Sequence, residues 1–154
     1  MSETTQTIRH ALAIAATSLL MLQGGLAQAQ TMVSVNTGTL NMREAPGTGS
    51  PVMWKLSRGY PLKVVQRKGS WFKVRDFEGD DGWVARSLTS RTPHHVVKSK
   101  VANLRAGPGT GYRIKGKLEY GETVRTVSKQ GQWVKVRHQE LGQGWVARRL
   151  LWGW

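Results

Sequence analysis

The stretch Asn41-Met42-Arg43-Glu44-Ala45-Pro46-Gly47-Thr48-Gly49 is written a second time as Asn103-Leu104-Arg105-Ala106-Gly107-Pro108-Gly109-Thr110-Gly111, displaced by 103 − 41 = 62 positions. The same displacement continues without a gap through Lys55/Lys117, Gly59/Gly121, Gly69/Gly131, Trp71/Trp133, Lys73/Lys135, Val74/Val136 and Arg75/Arg137. It runs on to Gly82-Trp83-Val84-Ala85-Arg86 against Gly144-Trp145-Val146-Ala147-Arg148. Over 40–88 and 102–150, 22 of 49 aligned positions are identical. Self-similarity at a fixed period marks a duplicated unit. The chain of 154 residues is therefore expected to hold two small modules of roughly 55–60 residues, near the lower limit for independent folding.

Pro and Gly punctuate each copy. Ala45-Pro46-Gly47-Thr48-Gly49 reads as a loop, Ser57-Arg58-Gly59 as a turn and Lys68-Gly69-Ser70 as a tight hairpin connection. Between them lie runs rich in Val, Trp and Leu at Val52–Leu56, Pro61–Gln66, Trp71–Arg75 and Gly82–Ala85, with a further short run at Met32–Val35. Short strands at this spacing predict an all-β protein of two tandem small barrels. A single helical turn is expected at Ser87-Leu88 and at Arg149-Leu150. The boundaries expected are 30–89 for the first module, 90–96 for a polar linker and 97–154 for the second. Trp152 and Trp154 fall beyond the repeat.

The first 29 residues read as a signal peptide. Arg9 and His10 close a polar start, Ala11–Leu22 is an apolar run shorter than a membrane span, and Ala27-Gln28-Ala29 is a small-x-small cleavage site. Export to the periplasm or the medium is the localisation expected, with no membrane span once the signal is removed. There is no cysteine, so neither a disulfide nor a thiol nucleophile is available. The formal charge is +14. Removing 1–29 deletes only Glu3 and Arg9, so the remainder keeps 22 − 8 = +14. A basic field of this size favours anionic partners.

The ordered elements Asn-x-Arg-x-x-Pro-Gly-Thr-Gly, Gly-x-Trp-x-Lys-Val-Arg and a closing Gly-Trp-Val, present twice, resemble the bacterial SH3-like (SH3b) domain. The resemblance covers Thr39–Leu88 and Val101–Leu150. It implies a barrel of five to seven strands without catalytic machinery. It also implies a role in binding peptidoglycan, its peptide stems or other envelope components.

Side-chain alternation puts Phe72, Val74, Val134 and Val136 inside, and Trp71, Lys73, Arg75, Trp133, Lys135 and Arg137 outside. An indole flanked by two cations suits stacking on a sugar or peptide while the cations hold carboxylates or phosphates. Solvated cations beside a Trp tucked over the barrel end are the alternative. Arg43 and Arg105 are candidates either for an internal carboxylate pair or for an anionic ligand. Trp54, Tyr112 and Tyr120 have no aromatic counterpart in the other copy, so they are candidates for module-specific recognition or for contact between the modules. Trp83 and Trp145 are expected in the core, and Pro46-Gly47 and Pro108-Gly109 are expected to be turn chemistry.

No metal or cofactor site is expected. His94 and His95 are adjacent in the linker and point different ways, while His138 aligns with Asp76. No enzyme is expected either. The chain lacks Gly-x-Ser-x-Gly and His-Glu-x-x-His, and the adjacent pair Asp80-Asp81, expected on a hairpin loop, becomes Gly142-Gln143. The function expected is a non-catalytic exported module that binds peptidoglycan or another anionic envelope polymer. An envelope adaptor binding peptide segments of a partner protein is the alternative, and nucleic acid is disfavoured by export.

Overall fold

The computed structural model describes residues 30–154, so the expected signal peptide lies outside the described residues. Each copy of the repeat forms one seven-stranded antiparallel sheet. In the first the strands are β1 (Met32–Val35), β2 (Thr39–Arg43), β3 (Val52–Ser57), β4 (Pro61–Lys68), β5 (Trp71–Arg75), β6 (Asp81–Ala85) and β7 (Thr89–Ser90), in the order β3-β2-β6-β5-β4-β1-β7. In the second they are β8 (His94–Val97), β9 (Val101–Arg105), β10 (Ile114–Glu119), β11 (Thr123–Gln130), β12 (Trp133–His138), β13 (Gly142–Ala147) and β14 (Leu151–Gly153), in the equivalent order β10-β9-β13-β12-β11-β8-β14. The expected helical turns are 3₁₀ turns at Arg86–Leu88 and Arg148–Leu150. Among the described residues no helix is long and apolar enough to cross a membrane.

Strand alternation sets the core. Val33, Leu40, Met42, Leu62, Phe72, Val74 and Val84 are buried in the first module, and Leu104, Leu118, Val124, Val134, Val136 and Val146 in the second. Three expectations are corrected, the first by the same parity. Trp83 and Trp145 do not fill the core: Val84 and Val146 beside them point inward at 0% exposure, which turns both indoles to the outer face. The inward positions on their other side are Gly82 and Gly144, where a Cβ would stand 2.6 Å from Met42 Cγ and 2.7 Å from Leu104 Cδ1. Glycine there lets the core side chain of the neighbouring strand lie against bare backbone.

The second correction concerns the ends of the repeat. Ser90 belongs to β7 and His94-His95 opens β8, so only 91–93 lies between strands of the two modules. Because β8 is the 62-residue counterpart of β1, His95 occupies the core position of Val33, and both are buried. Likewise β14 is the counterpart of β7 and pairs with β8, placing Trp152 opposite Val96. The C-terminal Trp152 is thus part of the second sheet. Asp81, expected in a loop, is the first residue of β6.

The modules touch. The Tyr120 ring of the second lies 5.3 Å from Phe77 of the first, and its hydroxyl donates to Glu78 Oε1. His94 closes over Gly59, whose Cβ, if it had one, would meet the imidazole at 2.9 Å.

Candidate functional site

The outer face of β9, β13 and β12 carries a groove of about 760 Å³. Its lining comes from Asn103, Arg105 and Thr110 on β9 and the loop after it, Lys117 on β10, Trp133 on β12, Ala147 on β13 and Leu150 in the 3₁₀ turn. Ala147 is the partner of Trp133 across the β12–β13 pair. With only a methyl opposite it, the half-buried indole borders the groove. On the same face Trp145 pairs with Arg105 on one side and Lys135 on the other, and the Lys135 ammonium stands 5.9 Å from the Trp145 ring centroid. The surface therefore alternates aromatic rings with cations, chemistry suited to a ligand with flat apolar and anionic parts.

Individual candidates fare differently. Among the described residues Arg43 and Arg105 pair with no carboxylate. Arg43 Nη1 donates to the Ser50 carbonyl at 2.6 Å, and Arg105 Nη1 donates to the carbonyls of Thr110 and Tyr112 at 3.0 and 2.9 Å. Both clamp the Pro-Gly loop, and Arg105 presents its remaining surface to the groove. Tyr112 lies with its ring against Gly107, a position held by Ala45 in the first copy, and is engaged with its own loop. Tyr120 stands at the module contact already described. Trp54 is exposed on β3; at the equivalent Gly116, Leu141 covers the backbone and leaves no room for an indole.

The cations of the two copies are also unequal. In the first module Asp81 takes Arg75 through Nε–Oδ1 at 2.6 Å and Nη2–Oδ2 at 2.8 Å, with Lys73 at 4.0 Å. That hydrogen bonding holds the Asp81 carboxyl below its usual range. In the second, Gln143 replaces Asp81, and Lys135 and Arg137 lose that carboxylate. Trp71 and Trp133 are both half-buried at the start of their strands.

The carboxylates of Asp76, Glu78 and Asp80 lie within 4.8 Å of one another. Their geometry is that of a folded loop: Asp76 Oδ1 accepts the backbone N–H groups of Glu78 and Asp80, both at 2.9 Å. Burial pushes the Asp76 carboxyl up.

Sequence reasoning missed Trp83 and Trp145 as outer-face residues. The alternation centred on Val84 and Val146 was the signal that places them. It also missed the groove's Asn103, Thr110 and Lys117, although each recurs 62 positions earlier.

The chain belongs to the bacterial SH3 domain family, whose model matches it twice, over 36–91 and 98–153. It is similar to a Bacillus subtilis (strain 168) protein named for N-acetylmuramoyl-L-alanine amidase activity, YrvJ, at 23% identity over 134 residues, 80% of this chain and 26% of that one. It is similar also to LytH of Staphylococcus epidermidis, named for cell wall amidase activity, at 31% identity over 62 residues, 40% of this chain and 21% of that one. The chain thus spans about a quarter or less of these relatives. Among solved structures, NlpC1 from Trichomonas vaginalis aligns with 87% of this chain and 49% of its own, at TM-score 0.38 and 14% identity. An NlpC/P60 family protein from Bacillus cereus ATCC 10987 aligns with 80% of this chain and 56% of its own, at TM-score 0.38 and 15% identity.

Proposed function

We propose that this chain is a non-catalytic binding module of the bacterial envelope, exported from the cytoplasm, which recognises peptidoglycan or another anionic envelope polymer through the groove of the second barrel and the equivalent outer face of the first. The observation that carries the reading is which residues the duplication has kept. Of the ten residues lining the groove of the second module, seven stand unchanged in the first, as Asn41, Arg43, Thr48, Lys55, Trp71, Ala85 and Leu88. The core has changed more freely: Leu40 became Ala102, Met42 became Leu104, Leu62 became Val124 and Phe72 became Val134. Leu to Ala and Phe to Val change side-chain volume as well as identity, so packing has not held these positions constant. Partly open positions such as Asn41 and Lys55 have weaker packing reasons to persist, and a shared ligand supplies one. The cell-wall names of the relatives agree with a wall polymer as that ligand, and two linked weak sites would add avidity.

A second reading rests on β3, the outermost strand of its sheet. Val52, Met53 and Trp54 are exposed in succession there, a surface that fits an extended peptide of an envelope protein added along the edge. Co-sedimentation of the purified chain with isolated peptidoglycan decides between them. Saturable binding at moderate salt is expected. A chain that stays in the supernatant, yet is retained by envelope extract after wall digestion, would overturn the first reading for the second.

A further inference from the structure

One row of residues across the second sheet is electrostatically incomplete. In the first module the row runs Met32, Lys63, Arg75 and Asp81 on successive strands β1, β4, β5 and β6. It ends in a carboxylate that neutralises its neighbour. The equivalent row in the second module is His94, Arg125, Arg137 and Gln143. Two guanidinium side chains sit directly opposite one another with no acid in the row. Like charges in that position are destabilising in a sheet, and a bound anion would relieve the repulsion.

The surroundings deepen the excess. Asp76 and Asp80 of the first module are replaced by His138 and Gly142. Where the barrels meet, Arg125 and Arg137 line a cleft of about 250 Å³ together with His94, His138 and Arg58, the last contributed by the first module. No carboxylate lines it among the described residues. Glu122 stands beside it, with its Oε2 3.8 Å from His138 Nε2 and no hydrogen-bond partner among the described residues. The three guanidinium groups of the lining thus outnumber the single carboxylate beside it. His138 Nδ1 accepts the backbone N–H groups of Glu140 and Leu141 at 3.2 Å each, which puts its proton on Nε2, the atom facing Glu122. Burial holds His94 toward its neutral form.

We propose that this cleft between the barrels is an oxyanion site that takes a phosphate group, held by Arg125 and Arg137 with Arg58 from the other module. Guanidinium forks match phosphate oxygens two at a time, and a dianion balances the excess charge. The site is separate from the groove: Arg137 and Trp133 are four residues apart on β12, roughly 13 Å at the rise of a strand. It exists only where the two modules meet, so it does not depend on the wall-binding reading.

Titration calorimetry at constant ionic strength tests it. Inorganic phosphate probes a single group and tripolyphosphate a chain of them, which distinguishes a lone phosphate from a phosphate polymer as the natural source. One saturable site per chain is expected for at least one of the two. Gln143→Asp, which restores the acid of the first module without removing a cation, and Arg137→Gln should each weaken it about tenfold, as for loss of one charge-assisted contact. Arg58→Gln should weaken it similarly, and Trp133→Ala should leave it unchanged. No saturable heat with either anion, equal affinity in Gln143→Asp, or loss of binding with Trp133→Ala would each overturn the proposal.

Discussion

Lowering the pH should unfasten the second module through one residue, His95. Its imidazole is 2% exposed and its Nδ1 lies 2.7 Å from Thr126 Oγ1. Burial, aided by the nearby cations Lys129 and Arg148, pushes its pKa from 6.5 down to about 4. The unfolded chain therefore binds a proton at a pH where the folded chain does not. Stability contributed by neutral His95 is intact above 6.5 and is lost as pH falls from there toward 4. Linkage between those two values gives a loss of about 2 kcal/mol at pH 5, approaching about 3 kcal/mol near pH 4. His94, also depressed, adds in the same direction, whereas the raised Asp76 of the first module opposes it.

The first module shows how to isolate the effect. Its equivalents of His95 and Thr126 are Val33 and Val64, an apolar pair in the same two places. Replacing both partners of a buried hydrogen bond by apolar groups can be nearly neutral. The double change His95→Val with Thr126→Val should remove most of the acid sensitivity, at a cost at pH 7 of about 1 kcal/mol for the hydrogen bond that His95 also makes to the Trp154 backbone. Urea denaturation between pH 7 and 4.5, comparing wild type with the double variant, measures the difference directly. If both lose stability in parallel across this range, His95 is not the group responsible and the reasoning fails.

Two further changes test the packing. Gly59 and Gly121 share φ +82°, but only Gly59 has a neighbour, His94, within reach of an added Cβ. Gly121→Ala should cost about 1–3 kcal/mol from backbone strain, and Gly59→Ala more, because it also pushes against the other module; equal losses by urea denaturation would mean the module contact is weak. Gly144→Ala should destabilise by about 1–3 kcal/mol or more, since the new Cβ would stand 2.7 Å from Leu104 and 2.9 Å from the Arg105 carbonyl oxygen; an unchanged denaturation midpoint would contradict the parity that turns Trp145 outward.

Much of the fold was legible because duplication and turn chemistry speak locally. The expected strand Trp71–Arg75 is β5 as predicted, and Pro61–Gln66 and Val52–Leu56 fall within β4 and β3. What the residues concealed was parity and reach. Gly-Trp-Val-Ala invites burial of its largest member, yet the strand pivots on Val84, and the space a core Trp would need is taken by Met42 against Gly82. His94-His95 and Leu151–Gly153 look like linker and tail because their partners, β11 and β8, are set by pairing across the sheet. Arg43 and Arg105 stood out by their repetition, but their loop-carbonyl partners became visible only once the Pro-Gly loop was folded back.

The groove's aromatic floor decides whether the chain recognises the wall polymer or merely adheres to it. Wild type and the double variant Trp71→Ala with Trp133→Ala, checked for retained folding, would be titrated against purified peptidoglycan at low and high salt. Screening weakens exposed charge contacts but not stacking on an indole. Saturable binding that survives high salt and is lost in the double variant is the result predicted. Binding that vanishes with salt and is indifferent to both Trp changes would contradict it, leaving only the basic charge of the chain to account for adhesion.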